Sequence, residues 1–430
     1  MKIAFRADAS LRIGTGHVMR CLTLATALAE RGAECVFLCR ALEGHLCDRI
    51  EAAGFACRRL PAPQGGAVLV EAADHAAWAG VSWEQDAAES AAILANEAPD
   101  WLVVDHYAFD ARWERAVLPG SARLMVIDDL ADRPHVADLL LDQNLGRSAS
   151  DYDGLVPQGC TRLIGPGFAL LRPEFAACRA AALDAREGRA MEQVLVSMGG
   201  VDLDDHSSRV LRALAAAGVP EGASVTVVIG AAAPARAALE RLAREVPFDC
   251  EVLAQVDNLH ELIAGADIAI GAAGVSAWER CCLGLPTLVV PIAANQRPGA
   301  AALAAAGAVL IVEPEDTTFD AALGVAFSAL SEDARRGDVA DKSAQVCDGD
   351  GALRVMRALL GGGLEFRSAA RLDSRRIWEW RRAGRDALLS FGRRPGVRGA
   401  SRLVSARPGR SHAACADRRT RRRSRRLFAL

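Results

Sequence analysis

A glycine-containing segment near the N terminus, Gly14-Thr15-Gly16-His17, carries the residue best suited to acid–base chemistry. It lies between a predicted strand, which ends at Asp8, and a predicted helix. Glycines at such a turn let the backbone approach a ligand closely. The positive end of the helix dipole disfavours a charged imidazole, which would leave His17 neutral, as a general base must be. A histidine that only caps the helix would give the same pattern, so both interpretations stay open.

The same segment matches the glycine-rich fingerprint of dinucleotide-binding proteins only in part. Met19 stands where the third glycine of that fingerprint would be, so the sequence gives little support for a dinucleotide cofactor. We predict that the protein uses no cofactor. We expect Asp8, Gly14 and Gly16 to contact a substrate held in front of His17.

A second candidate site lies in a run of small residues at positions 271–279. The sequence GAAGVSAWE leads from a predicted strand into a predicted helix, and the free backbone amides at the start of a helix bind anions such as a diphosphate. We predict that Gly274, Val275 and Ser276 bind the diphosphate of a nucleotide. Glu279, one turn inside the helix, is expected to accept hydrogen bonds from ribose hydroxyls.

Two further loops are expected to complete this second site. The segment SMGGVD, residues 197–202, also connects a strand to a helix, so the amides of Gly199 and Gly200 could bind phosphate. A bare Gly-Gly turn explains that segment nearly as well. A later strand ends near Asn295 and Gln296, whose amides could bind sugar or phosphate. This last loop favours a ligand site over a plain strand–helix junction with a solvated Glu279.

Other polar residues are ambiguous. Asp202 and Asp204 form a DxD pair, which is the metal motif of one class of transferases. Because the pair lies in the predicted phosphate loop, we interpret it as part of a solvated helix start and predict no metal site. Tyr107 follows Asp105-His106 at the end of a predicted strand, where it could touch a sugar or pack in the core.

Short apolar strands alternate with amphipathic helical segments along the chain, which is typical of parallel α/β layers. We predict a first series of strands at residues 2–8, 34–40, 101–105, 123–128 and 138–142. A second series is predicted at residues 193–197, 224–229, 251–254, 267–271, 287–291 and 309–312. We therefore expect two Rossmann-like domains, at 1–165 and 166–360, facing a cleft at the carboxyl ends of their strands.

The charge distribution separates the end of the chain from the rest. Residues 364–430 contain twenty arginines, no lysine and five acidic residues, a net charge of +15, which leaves −18 for residues 1–363. An acidic body argues against nucleic acid as the main partner. The cysteines lack metal-site spacing, and no apolar run approaches the ~20 residues of a membrane span. We expect reduced thiols in a cytoplasmic protein with no membrane partner.

In its motifs, the chain resembles the UDP-2,4-diacetamido-2,4,6-trideoxy-β-L-altropyranose hydrolases of pseudaminic-acid biosynthesis, which are relatives of the MurG-like GT-B glycosyltransferases. The resemblance covers roughly the first 360 residues and rests on FRADAS, IGTGHVMRC, VVDHY, ASDYDGLVP, SMGGVD, GVSAWERCCLGLP and ANQ. It implies a GT-B fold, UDP bound mainly by the C-terminal domain, no metal, and attack of water at the anomeric carbon with inversion. It further implies that His17 is the catalytic base, that Glu279 contacts the nucleotide, and that Asn295 lies near sugar and phosphate. Tyr107 corresponds to the tyrosine that follows the family's Asp-His pair.

Residues 361–430 form an extension of different composition, which we predict to be disordered. The segment IWEWR, residues 377–381, resembles the opening of a GNAT-type acetyltransferase, but the acetyl-CoA loop and the rest of such a domain are absent. We interpret the extension as a frameshifted remnant without acetyltransferase activity. The alternative is a basic tail that binds RNA or acidic membrane nonspecifically.

The sequence leaves two other functions open. A GT-B glycosyltransferase with a UDP-amino sugar donor would share the fold and the nucleotide site. A non-catalytic nucleotide-sugar-binding protein would share them too, but it would not need His17. The predicted partner is in each case a small UDP-sugar, joined by water if the protein is a hydrolase.

Overall fold

The computed structural model of the protein describes residues 1–63, 75–231, 233–254, 256–315 and 318–361. Residues Met1–Met356 form one compact unit. The second unit, Arg357–Leu430, is described only as far as residue 361. The acetyltransferase-like segment and the basic tail therefore lie outside the described residues.

The N-terminal half of the compact unit contains a parallel sheet of seven strands in the order β3-β2-β1-β4-β5-β6-β7. The strands are β1 (Lys2–Ala7), β2 (Glu34–Arg40), β3 (Ala56–Leu60), β4 (Trp101–Asp105), β5 (Arg123–Ile127), β6 (Leu139–Asp142) and β7 (Thr161–Ile164). The helices are α1 (Gly16–Ala29), α2 (Cys47–Ala52), α3 (Trp83–Glu97) and α4 (Ala111–Val117), with 3-10 helices at His75–Ala79 and Ala149–Tyr152.

The C-terminal half contains a parallel sheet of six strands in the order β10-β9-β8-β11-β12-β13. The strands are β8 (Gln193–Ser197), β9 (Ser224–Ile229), β10 (Asp249–Ala254), β11 (Ile268–Gly271), β12 (Thr287–Val289) and β13 (Leu310–Ile311). The helices are α5 (Pro173–Arg186), α6 (His206–Ala217), α7 (Arg236–Leu242), α8 (Leu259–Gly265), α9 (Val275–Cys282), α10 (Arg297–Ala305), α11 (Phe319–Ser331), α12 (Asp333–Val346) and α13 (Gly351–Leu359). Two 3-10 helices lie at Pro166–Phe168 and Ala294–Gln296.

Both sheets are covered by helices, so their strands are apolar on both faces. In β8, Val194 and Val196 belong to one buried cluster, whereas Leu195 belongs to another, because successive side chains of a strand point to opposite faces. Helix α6 adds Leu211 and Leu214 to the first cluster, at the spacing that keeps one face of a helix apolar. In the part of the chain that the structure describes, no helix has the length and apolar character needed to cross a lipid bilayer.

The predicted α/β class and two-sheet architecture are confirmed. Strands β3 and β7, however, were missed. Arg58 and Arg59 occupy two positions of β3, and Arg162 occupies one position of the short β7. Both strands lie at sheet edges, where polar side chains are tolerated and the apolar pattern that marks a strand is weak.

The two sheets share a topology that determines where ligands can bind. Chain order reverses between β1 and β4 in the first sheet and between β8 and β11 in the second. Loops leave the carboxyl ends of these neighbouring strands toward opposite faces, which opens a crevice in each sheet. The crevices lie at the β1–α1 and β4–α4 loops and at the β8–α6 and β11–α9 loops.

Candidate active site

His17 lies in the first turn of α1 and bonds to the end of the neighbouring strand β4. Its Nδ1 atom is 2.6 Å from Oδ1 of Asp105, the last residue of that strand. Burial alone would raise the pKa of Asp105, but Arg20 and His17 outweigh burial and hold that pKa well below its usual range. An ionised carboxylate only accepts hydrogen bonds. In the neutral imidazole, the ring hydrogen therefore sits on Nδ1, and Nε2 carries the lone pair that a base needs.

The side chain of His17 does not cap α1. Thr15 occupies the N-cap position of this helix, whereas the side chain of His17 bonds to Asp105 of strand β4. Arg20 Nη2 also lies near the imidazole, 3.4 Å from Nδ1, but the distance from Nδ1 to Asp105 is only 2.6 Å. Because the carboxylate is closer, it decides where the ring hydrogen lies. Of the two open interpretations, this geometry favours the base.

Arg20 and Asp129 extend the network that holds Asp105 in place. Arg20 donates to both carboxylate oxygens of Asp105 at 2.6 Å and to Oδ2 of Asp129 at 2.7 Å. Tyr107 donates its hydroxyl to the same oxygen of Asp129 at 2.8 Å. A two-point arginine–carboxylate pair is directional. It therefore fixes the carboxylate of Asp105 and, through it, the orientation of the His17 ring.

Tyr107 lies edge-on to His17, with 4.7 Å between ring centroids, and Trp78 lies 5.3 Å from Tyr107. Burial, and then the charge of Asp129, raise the pKa of Tyr107 well above its usual value, so its hydroxyl stays protonated. Tyr107 is 6 % exposed, whereas Trp78 is half-buried. Both of the roles foreseen for Tyr107 thus have a basis, but Trp78 is the more exposed ring. Nothing in the sequence pattern singled out Trp78.

Asp8 is placed differently from what its predicted role requires. It is fully buried and accepts hydrogen bonds from Nη1 of Arg6 at 2.6 Å and from the backbone N–H of Arg40 at 2.7 Å. Burial would raise its pKa, but Arg6 and His106 hold the pKa well below the usual range. With no exposed surface, Asp8 cannot contact a substrate in this structure. Its bonds instead hold together the ends of β1 and β2.

Gly16 lies where the two halves of the site meet, and Gly14 precedes it by two residues. Gly14 has a φ of +80°, which a residue with a side chain would adopt only with strain. A β-carbon on Gly16 would lie 3.7 Å from Cγ2 of Val275, and one on Gly200 would lie 3.3 Å from Oγ1 of Thr15. The β1–α1 loop is therefore close to both the β8–α6 and the β11–α9 loops. The first turns of α1 and α9 are neighbours.

The first turn of α9 has backbone amides that no side chain caps. Gly274 is its N-cap residue, and the N–H groups of Val275 and Ser276 have no acceptor within the helix. Gln296 accepts with Oε1 from the N–H groups of Ala273 and Ile292, both at 3.2 Å, so it ties two loops together. Open amides at a helix start suit a phosphate group. The predicted roles of Gly274, Val275 and Ser276 are compatible with this placement.

The remaining predicted residues of this side lie around α9. Glu279, one turn inside the helix, is half-buried. Burial raises the pKa of Glu279, and Arg172 and Arg280 oppose that shift. The side-chain oxygen of Gln296 already accepts two backbone N–H groups. Its Nε2 atom would lie 4.0 Å from a β-carbon on Gly274, so the NH2 group is close to the N-cap residue. Asn295 precedes it in the same 3-10 helix and is half-buried.

The first turn of α6 is capped by acidic side chains of the preceding loop. Asp202 accepts from the N–H groups of His206 and Ser207, both at 2.9 Å, and Asp205 accepts from Ser208. Asp202 is 5 % exposed, so it is a buried cap and not part of a solvated helix start. Asp204 is exposed. Among the described residues, no group of three or more His, Cys, Asp or Glu side chains is arranged to hold a metal ion.

The backbone of Gly200 packs closely against Gly230, and Gly199 has a left-handed backbone conformation. Gly199 has a φ of +113°. A β-carbon on Gly230, which follows β9, would lie 1.9 Å from the carbonyl oxygen of Gly200, so only glycine fits there. No motif in the sequence singled out Gly230. The plain Gly-Gly turn and the phosphate loop both remain compatible with this geometry.

Comparison with known proteins adds independent information. No known protein-family model matches the chain. The chain is 28 % identical over 246 residues to the UDP-2,4-diacetamido-2,4,6-trideoxy-β-L-altropyranose hydrolase of Campylobacter jejuni. The matched region covers 57 % of this chain and 75 % of that protein. It is 32 % identical over 157 residues to the spore coat polysaccharide biosynthesis protein SpsG of Bacillus subtilis, which covers 36 % of this chain and 44 % of that protein.

Solved structures identify the fold. MurG of Acinetobacter baumannii superposes with a TM-score of 0.60 at 16 % identity, covering 84 % of this chain and 99 % of MurG. The calicheamicin glycosyltransferase CalG4 superposes with a TM-score of 0.56 at 18 % identity, covering 84 % of this chain and 97 % of CalG4. The chain therefore has the GT-B fold of MurG and related glycosyltransferases, built from two parallel-sheet α/β domains.

Proposed function

We propose that the protein hydrolyses a UDP-sugar to UDP and the free sugar, with His17 as the general base for the attacking water. The proposal rests chiefly on the 2.6 Å bond between His17 Nδ1 and Asp105. His17 lies in the first turn of α1, which neighbours the first turn of α9. Hydrolysis of a nucleotide sugar needs a base in one fixed tautomer beside a site for the diphosphate. The similarity to the Campylobacter jejuni hydrolase supports the same reaction.

In the proposed reaction, Nε2 of His17 takes a proton from water while the water oxygen bonds to the anomeric carbon. The bond from that carbon to the β-phosphate oxygen breaks, and its electron pair leaves with UDP. Asp105 stabilises the imidazolium that forms, without taking the proton itself. Because water attacks the face opposite to the leaving group, the anomeric configuration inverts.

We assign the nucleotide to the C-terminal half. The amides of Gly274, Val275 and Ser276 would hold the diphosphate, and Glu279 would accept hydrogen bonds from the ribose. The positive end of the α9 dipole favours the charge that develops on the leaving diphosphate. The proposed reaction therefore requires neither a strong general acid nor a metal, and a chelator should leave its rate unchanged.

For the sugar we propose a 2,4-diacetamido-2,4,6-trideoxy-hexose, the type named for the Campylobacter jejuni relative. A trideoxy sugar with two acetamido groups presents methyl groups where common hexoses present hydroxyls. The half-buried ring of Trp78 beside Tyr107 gives such methyl groups an apolar surface. Asn295 and the NH2 group of Gln296 supply polar partners for the sugar or the phosphate.

A glycosyltransferase is the second candidate, and the likeness to CalG4 favours it. An acceptor hydroxyl would then replace water, and His17 would deprotonate that hydroxyl. Incubation with the UDP-diacetamido sugar and no acceptor, followed by NMR, separates the two reactions. We expect equal amounts of UDP and free sugar, with the inverted anomer formed first. A donor that stays intact until an acceptor is added would overturn hydrolysis in favour of transfer.

A further inference from the structure

Arg280 lies in the second turn of α9 and is 2 % exposed. Its Nη2 atom donates to the carbonyl oxygen of Ala272 at 2.5 Å, and its Nη1 atom donates to Oγ of Ser276 at 3.1 Å. Both acceptors belong to the loop and the first helical turn that we assign to the diphosphate. The guanidinium group therefore lies directly behind that loop.

Gly271, at the end of β11, makes room for this guanidinium group. A β-carbon on Gly271 would lie 2.7 Å from Nη1 of Arg280 and 2.8 Å from the carbonyl oxygen of Ser197. Real β-carbons essentially never approach other atoms so closely, so any larger residue would displace the arginine. Gly271, the first residue of the predicted anion loop, is therefore needed to leave space for the buried side chain of Arg280.

Arg280 has no ion-pair partner in the described part of the chain. Across residues 1–63, 75–231, 233–254, 256–315 and 318–361, no ion pair includes it, and its Nε atom is buried without a hydrogen-bond acceptor. Burial lowers the pKa of Arg280 to about 10, with Cys281 and Glu279 opposing that shift, so the group stays charged at neutral pH. A buried unpaired charge is costly unless something compensates it.

We propose that Arg280 is a positioning residue for the diphosphate: it compensates the ligand's negative charge from behind the α9 loop and orients the Ser276 hydroxyl. Because Arg280 donates to Oγ of Ser276, the hydroxyl hydrogen remains available to a phosphate oxygen. A bound diphosphate would supply the missing counter-charge. This inference rests on the proposed function, since it takes UDP as the ligand of α9.

The test compares UDP with uridine as probes, using isothermal titration calorimetry on the full chain. Arg280→Gln removes the charge, whereas Arg280→Lys keeps it. We expect Arg280→Gln to weaken UDP binding at least 10-fold and uridine binding less than 2-fold, and Arg280→Lys to keep UDP binding within about 3-fold of wild type. Ser276→Ala should weaken UDP but not uridine, and it tests the same contact if Arg280→Gln does not fold.

Arg186 provides a matched control. Unlike Arg280, it donates to backbone carbonyls only, those of Ala266 and Ile263, but burial lowers its pKa to about 10 as well. Its acceptor Ala266 precedes β11, at the opposite end of that strand from Gly271. We expect Arg186→Gln to leave the ratio of UDP to uridine affinity unchanged.

Two results would overturn the inference while leaving the proposed function intact. One is equal loss of UDP and uridine binding in Arg280→Gln, which would show a structural role only. The other is UDP binding by Arg280→Gln at wild-type strength. If the wild-type protein binds uridine as tightly as UDP, or binds neither, α9 is not a diphosphate site, and the proposed function fails with the inference.

Discussion

The two sides of the candidate site use charge in different ways. On the side of the first sheet, His17, Asp105, Arg20 and Asp129 are joined to one another by hydrogen bonds of 2.6 to 2.7 Å. On the side of the second sheet, residues 271–276 include no acidic or basic side chain. A buried cation, Arg280, lies behind this loop.

This difference indicates a division of labour. A network of paired charges fixes one imidazole in one tautomer, which serves proton transfer. A loop of small residues with open amides leaves room for a ligand that brings its own negative charge. Substitutions in the first side should therefore lower kcat, and substitutions in the second should raise KM and the Kd of UDP.

A second comparison, between α6 and α9, supports the same conclusion within one sheet. Both helices follow glycine-containing loops at the switch point of the second sheet. The N-terminal amides of α6 are bonded to Asp202 and Asp205 of the chain itself, whereas no side chain caps α9. A helix start that its own carboxylates already cap has less to offer an anion.

The largest expected effect is that of His17→Ala. Loss of a general base typically lowers a rate by about 10²–10⁴-fold, and we expect kcat to fall toward the upper end of that range. The Kd of UDP should change less than about 3-fold, because α9 is untouched. His260→Ala is the control, since His260 packs on Phe175 in the second half and should leave both quantities unchanged. A His17→Ala enzyme with wild-type kcat would contradict the assignment of the general base to the first side.

Asp105→Asn should have the next largest effect. The amide can donate to Nδ1 of His17 and so stabilise the tautomer that lacks a lone pair on Nε2. We expect kcat to fall about 10²–10³-fold, with the Kd of UDP nearly unchanged. Because this change also weakens the pair with Arg20, circular dichroism must show that the variant is folded. A folded variant that loses UDP affinity and keeps kcat would contradict the division of labour.

Gln296→Glu tests the second side. Glutamate can still accept the N–H groups of Ala273 and Ile292, but it places a negative charge beside Gly274. We expect the Kd of UDP to rise about 10-fold at low salt and less at high salt, since exposed charges are screened. Gln193→Glu is the matched control, because Gln193 begins β8 at the opposite end of the sheet and accepts from Ser224. Equal effects of the two substitutions would refute an anion site at α9.

Asp202→Ala should have the smallest effect, and it should appear in stability and not in catalysis. Removing this cap of α6 should lower the free energy of unfolding by about 1 kcal/mol, measured by urea denaturation. The exposed Asp204 gives the control, since Asp204→Ala should change stability by less than about 0.5 kcal/mol. If Asp204→Ala destabilises the protein as much as Asp202→Ala, the assignment of the cap is wrong.

The sequence predicted His17 and the α9 loop because their chemistry is local: a strand, a short loop and a helix start appear in one stretch. Asp105 was recognised only as part of a strand end, since it lies 88 residues from its partner His17. The adjacency of β1 and β4 provides the missing information, and no local pattern reports it. The predicted substrate contact of Asp8 was wrong, because its position next to the loop in the sequence does not show that it is buried against Arg6.

Arg280 and Trp78 show two other limits. Arg280 looks like an ordinary helix cation in sequence, and only the space left by Gly271 shows that it is buried. Trp78 lies in a 3-10 helix outside the strand–helix pattern, so nothing in the spacing connects it with His17. Burial and long-range pairing, not residue type, decide what these side chains can do.

The central claim is that water attacks the anomeric carbon and UDP leaves with its bridging oxygen. Turnover of the UDP-diacetamido sugar in ¹⁸O-labelled water, with early sampling by mass spectrometry, tests it most directly. We predict that the label appears in the free sugar and that UDP stays unlabelled. Label in the β-phosphate of UDP would mean attack at phosphorus, and the assignment of His17 as the base for attack at carbon would be wrong.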